Sequence, residues 1–113
     1  MAKSNKPIVW ALFAAGGTLA AFLAPVLVLL FLLAALGYLP DLLSYQRLHA
    51  FASHWFGKLL LWGVISLFLW HAAHRLRVTL HDFGLRQDGV VAVLVYLGAA
   101  TGTLASLLYL WRI

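Results

Sequence analysis

Residues 7–40 read PIVWALFAAGGTLAAFLAPVLVLLFLLAALGYLP, without one charged side chain. As a single helix, 8–36 would be about 43 Å long at ~1.5 Å per residue, more than the ~30 Å that a hydrocarbon core requires. A helix of that length tilts, kinks or protrudes. Pro25 offers a kink, because its ring removes one backbone donor and crowds the carbonyl of Ala21. Lys3 and Lys6 ahead of an apolar run also resemble the start of a signal peptide. The run is roughly twice the usual length of a signal core, so it reads as a retained helix.

Two further apolar runs follow. Gly37 to Asp41 reads as a turn, with Pro40 as a stop and Asp41 or Ser44 as the next N-cap. Residues 58–77 span about 29 Å, with Lys58 and Arg77 placed to snorkel at either end. Residues 44–57 then form a more polar helical extension outside the core. Gly84 reads as the stop of this second long helix and Asp88 as the N-cap of the third. Residues 89–110 are uncharged, about 33 Å of helix and a full span. The expected fold is all-α, an integral membrane domain over 1–113 with spans near 8–36, 58–77 and 89–110.

Composition supports that reading. Of 113 residues, 65% are hydrophobic and 10% charged, against roughly 25% charged in soluble domains. The formal charge of +5 does not mark a nucleic-acid protein, because the basic residues punctuate apolar runs and make no stripe. No cysteine is present, which excludes disulfide, thiol and iron–sulfur chemistry in this chain. Lys3, Lys6, Arg75, Arg77 and Arg86 fall on one side of the spans and Arg47, Lys58 and Arg112 on the other. The asymmetry predicts a cytoplasmic N-terminus and a C-terminus across the membrane.

The chain is poor in catalytic groups and too small to be a self-sufficient enzyme. There is no glutamate, and no aspartate lies within a predicted span. Ion-coupled transporters use an intramembrane ionisable group as their relay, so that class is disfavoured. Small residues recur along two helices, at Gly98, Gly102 and Ser106 and at Gly17, Ala21 and Ala24. Such spacing permits close helix approach in lipid, and in an Ala/Gly-rich chain it also arises by chance.

His71, His74 and His81 gather with Arg75, Arg77 and Asp82 at the expected cytoplasmic end of the second span. Three readings compete for them. They are interfacial polar anchors, or they hydrogen-bond and exchange protons with a lipid-soluble quinone, or one of them ligates haem b with a histidine from elsewhere. His49 and His54, at the opposite end, read as interfacial. Trp10 lies at the same level as His74 and Arg75, where it is a belt tryptophan or one wall of a quinone head-group site.

At these residues the sequence resembles the D subunit, a hydrophobic membrane anchor, of the four-subunit bacterial quinol–fumarate reductase. The matching stretches are Val9-Trp10-Ala11-Leu12-Phe13 with Gly16-Gly17, then Ala24-Pro25-Val26 and Leu43-Ser44-Tyr45-Gln46-Arg47. Ala50-Phe51-Ala52 follows, then Trp70 with His74-Arg75 and His81-Asp82, so the likeness spans nearly the whole chain. The resemblance implies a non-catalytic subunit of the inner (cytoplasmic) membrane. Together with a companion anchor, the C subunit, it would hold the iron–sulfur and flavoprotein subunits and help bind menaquinol. It carries Trp10 onto the quinone pocket near the iron–sulfur subunit, and Phe51 onto quinone function towards the other side. His74, Arg75 and His81 are the accompanying quinone candidates, and no residue is assigned to catalysis or to a metal.

Two departures accompany the match. Ser53 and His54 stand where the family pattern has Gln and Ser, which counts against a distal quinone site. Arg77 and Val78 replace imidazoles in the run after His74-Arg75. Familiar members with two anchor subunits carry no haem, which disfavours haem b here. A succinate:quinone reductase anchor and a non-redox structural membrane subunit are the alternatives.

Overall fold

In a computed structural model the described residues are 6–113, and they are helical throughout, with no strand among them. Helix α1 is Lys6–Ala35, a 3-10 turn is Asp41–Leu43, α2 is Tyr45–Ser53, α3 is Trp55–Asp82 and α4 is Asp88–Arg112. α1, α3 and α4 are each long and apolar enough to cross a membrane. Their 30, 28 and 25 residues exceed a ~30 Å core at ~1.5 Å per residue, so each has turns to spare for the interface. α1 continues unbroken through Pro25. Lys3, one of the residues behind the predicted orientation, lies outside the described residues.

The two long reversals use one device. Gly37 and Gly84 have φ of 87° and 97°, left-handed conformations that a side chain would strain. After each, the next residue closes back over the helix end, Tyr38 N–H to the Leu33 carbonyl at 2.8 Å and Leu85 N–H to the Leu80 carbonyl at 3.1 Å. This is the Schellman arrangement that satisfies orphan carbonyls at a helix C-terminus.

Two boundaries differ from the sequence reading. The segment before the second span is not an extension of α3 but a separate helix, α2, capped by the Ser44 hydroxyl. His54 makes the break. Its backbone is extended, and its ring Nδ1 accepts from Phe56 N–H at 3.2 Å, so it ends one helix and caps the next. Gly57 makes the corner possible, because a Cβ there would run into the Phe51 carbonyl. Gln87, not Asp88, is the N-cap of α4, and Asp88 is the first helical residue with its carboxylate engaged elsewhere.

α3 is the central helix, antiparallel to both α1 and α4, and each of them packs chiefly on it. The result is a slab 52 × 31 × 22 Å. Its interior holds little: Ala73, Ala99 and Leu110 are the buried hydrophobics among the described residues, and no large side chain is fully covered. Phe22, Phe31, Trp55 and Trp111 are 70–80% exposed, an apolar surface that water would not tolerate and that lipid or protein must cover.

Glycine sets the tight crossing of α1 on α3. A Cβ on Gly16 would meet the Leu67 carbonyl at 2.6 Å and one on Gly17 would meet the His71 ring at 2.8 Å. The inward face of α1 is therefore Gly16, Gly17 and Ala20, while Ala21 and Ala24 of the expected stripe face out. The α4 stripe divides likewise. A Cβ on Gly102 would meet Leu69 of α3 at 2.8 Å, so this residue serves packing within the chain, whereas Gly98 opens onto free space.

Candidate functional site

Because α1 and α4 both pack chiefly on α3, a groove is left between them. It forms a cleft of about 670 Å³ running from the Arg77 end of α3 down to Trp62. Phe13 is its organising ring. The Trp10 ring lies 5.3 Å from it, His71 stacks on it at 4.6 Å, and His74 meets it edge-on at 4.5 Å. Trp70 and Tyr96 stack at 5.9 Å on the α4 side. The remaining walls are Val9, Leu12, Leu67 and Trp62, with Ser66 and Thr103 near Trp62, and the polar groups of the other end are His74, Arg77 and Tyr96. A mostly apolar cavity with a small number of placed polar groups is the usual form of a site for a small amphiphile.

Those polar groups form a chain. The Arg77 guanidinium holds Asp88 with both oxygens, Nε to Oδ1 at 2.9 Å and Nη2 to Oδ2 at 2.6 Å. Its third nitrogen lies 3.4 Å from the Tyr96 hydroxyl, and Arg77 Cζ sits 5.7 Å from the centre of that tyrosine's ring. The same hydroxyl is 3.1 Å from His74 Nδ1. A bidentate guanidinium–carboxylate pair fixes orientation as well as charge. It also keeps a cation beside the lipid without leaving it unpaired.

Deeper down, polar groups are turned inward onto backbone. Trp62 Nε1 donates to the Thr103 carbonyl at 3.0 Å and Thr103 Oγ1 donates to the Ala99 carbonyl at 2.8 Å. Ser66 Oγ, on the cleft floor, is buried and has no partner among the described residues.

Of the candidates named from sequence, Trp10 and His74 converge, both against Phe13 and both lining the cleft. Arg75 does not line it, being one residue, or about 100°, around α3 from His74. His81 is exposed, two turns beyond His74 towards the end of α3. Phe51 is remote. It belongs to α2, and Trp55 to His74 alone is about 28 Å of helix. His71 is engaged in helix packing, with Nδ1 3.2 Å from the Phe13 carbonyl.

The sequence reading missed Phe13, Arg77, Asp88 and Tyr96 as site residues. For Arg77 the signal was available, because Trp70, His74 and Arg77 recur at i, i+4 and i+7 and so share a helix face. Tyr96 is the one tyrosine within an otherwise non-aromatic stretch of α4, from Asp88 to Leu108. At the start of a helix Asp88 reads as a cap, and that reading obscures its pairing with Arg77.

Among the described residues, fold and cleft together define an all-helical chain with three helices long and apolar enough to cross a membrane and a groove lined largely by rings. Residues 1–111 match the family described as the D subunit of fumarate reductase. The fumarate reductase D subunit of Aliivibrio fischeri is 35% identical over 113 residues, covering 98% of this chain and 94% of its own. That of Vibrio cholerae is 39% identical over 101 residues, 88% of this chain and 77% of its own. That of Actinobacillus pleuropneumoniae is 42% identical over 81 residues, 71% of this chain and 68% of its own. The chain belongs to this family of fumarate reductase D subunits, the membrane anchor of a multi-subunit complex that uses quinone, and it is not the catalytic subunit.

Proposed function

We propose that this chain, as a single membrane-anchor domain in the bacterial inner membrane, attaches the iron–sulfur and flavoprotein subunits together with a companion anchor, the C subunit. In this reading it supplies one wall of a menaquinol site. The observation that carries the reading is the convergence of Trp10 and His74 on Phe13 at the mouth of an apolar cleft. A naphthoquinol head group needs ring contact, hydrogen bonds to its oxygens, and an apolar channel for its isoprenoid tail. Trp10 and Phe13 offer the first, His74 the second, and the stretch past Leu67 towards Trp62 the third. Electrons pass from the quinol to an iron–sulfur cluster on a partner, and fumarate is reduced at a flavin elsewhere in the complex.

Arg75, turned around α3 from the cleft face, and His81, beyond the end of the cleft, suit contact with the iron–sulfur subunit and the rim of the site. Phe51, remote from the cleft, belongs to a separate distal role. Acid–base groups beyond His74 come from partner subunits, since the chain has no glutamate and its three aspartates lie at helix ends. Haem b is not part of this reading. Purification of the tagged chain in mild detergent is expected to bring down the companion anchor, iron–sulfur and flavoprotein subunits. The visible spectrum of that preparation is expected to have flavin and iron–sulfur absorbance without the sharp bands of a b-type haem. Such bands, or the chain purifying alone, would contradict it.

The proposed orientation places the N-terminus in the cytoplasm. The helix directions gather Lys6, Arg75, Arg77 and Arg86 at one end and Arg47, Lys58 and Arg112 at the other, and the richer end belongs inside. A reporter fused after Ile113 is expected to be periplasmic. A cytoplasmic signal would reverse the orientation and remove Trp10 and His74 from the face that meets the iron–sulfur protein.

A further inference from the structure

Tyr96 has no place in the quinone reading as stated, yet it joins the one charged pair at the cleft to the one imidazole that lines it. Its hydroxyl lies between Arg77 Nη1 at 3.4 Å and His74 Nδ1 at 3.1 Å. A guanidinium only donates, and it does not lose its proton at any pH the protein meets. Towards Arg77, then, the phenolic oxygen accepts. The Asp88 carboxylate prevents Arg77 from turning away, because it binds two of the guanidinium nitrogens at 2.9 and 2.6 Å. The ring is fixed as well, stacked on Trp70 at 5.9 Å with the guanidinium carbon 5.7 Å from its centre.

With Arg77 on its accepting side, the Tyr96 hydroxyl proton has one acceptor among the described residues, His74 Nδ1. A neutral imidazole that accepts at Nδ1 carries its proton at Nε2. From this geometry we infer that Tyr96 is a positioning residue that fixes His74 as the Nε2–H tautomer, so that the cleft meets its occupant with a hydrogen-bond donor. The polarity is set from outside inwards: Asp88 orients Arg77, Arg77 orients the Tyr96 hydroxyl, and that hydroxyl selects the tautomer. Phe13, edge-on to the His74 ring at 4.5 Å, limits its rotation from the α1 side. The occupant favoured is one that presents an accepting oxygen, carbonyl or hydroxyl, at the level of His74. On the reading under Proposed function, which this inference deepens, that oxygen belongs to the quinone head group.

The test uses the assembled complex in membranes, labelled with ¹⁵N-histidine, with no quinone added. The His74 signals are identified by their loss in His74→Gln. The neutral ring of the parent is expected to give the Nε2–H pattern, and Tyr96→Phe, which keeps the ring and removes the hydroxyl, is expected to populate the Nδ1–H form. An Nδ1–H parent, or the same tautomer in Tyr96→Phe, would overturn the inference whatever the cleft binds. A second measurement concerns the ligand. Tyr96→Phe is expected to raise KM for a short-chain quinol roughly 2–10-fold, the effect of one mis-set hydrogen bond, with a smaller change in kcat. An unchanged KM would overturn the role towards the occupant. Failure of the quinone reading itself would appear separately, as quinol-linked turnover that does not respond to Trp10.

Discussion

Trp10→Leu is expected to leave the complex assembled and its dye-linked fumarate reduction intact while quinol-linked reduction falls about 5–150-fold. The range corresponds to roughly 1–3 kcal/mol for loss of ring stacking and one indole hydrogen bond in a cleft that does not rearrange. The structure gives the separation a physical basis. Trp10 is 64% exposed and touches Phe13 at the cleft mouth, so its removal opens no cavity in the chain's own packing. An artificial dye that donates directly to the redox subunits bypasses the cleft. Both activities are measured in the same membranes. If they fall together, Trp10 holds the assembly; if neither falls, it is a belt tryptophan and the head group binds elsewhere.

Gly16→Leu is expected to have a large effect on assembly. Gly16 is buried at the α1–α3 crossing, where even a methyl group would sit 2.6 Å from the Leu67 carbonyl and 2.9 Å from His71 Cβ. Backbone oxygen cannot step aside as a side chain can, so the helices must separate. Overpacking of this kind costs about 1–3 kcal/mol, which sets the expectation for Gly16→Ala; leucine exceeds it. The same displacement moves Phe13, and with it the wall shared by Trp10 and His74. The readout is the dye-linked activity retained by washed membranes, since failed anchoring releases it to the soluble fraction. Gly98→Ala, where a Cβ meets nothing within 4 Å, is the matched control for Gly16→Ala and is expected to retain parental anchoring. Equal membrane retention by the two glycine variants would contradict the crossing described.

The fold was legible because a bilayer imposes lengths. Three uncharged runs of helical length, separated by Gly37 and by Gly84, leave a three-helix membrane fold as the reading, and the two glycines mark reversals that require left-handed backbone. The break at His54 was not legible, because it depends on a ring nitrogen capping the following helix and on Gly57 admitting the Phe51 carbonyl. The small-residue stripes misled for a related reason. Spacing gives a helix face but not what lies opposite, so Gly98 and Gly102 looked equivalent until α3 was seen against only one of them.

The site divided in the same way. Trp10 and His74 were recognisable by residue type and level, but their meeting on Phe13 depends on where α1 crosses α3. Arg75 is the residue adjacent to His74 in sequence, while Arg77 is the one on its helix face and the one that lines the cleft. Asp88 and Tyr96 enter only through the antiparallel packing of α4 on α3, which no local pattern announces.

The most direct measurement of the central claim is covalent labelling of the assembled complex with a photoreactive menaquinone analogue, followed by peptide mapping. The cleft predicts label on the α1 segment around Trp10 and Phe13 and on the α3 segment between Ser66 and His74, suppressed by excess menaquinone. Label confined to the α2 region around Phe51, or undiminished by the competitor, would contradict the assignment of the head-group site to this cleft.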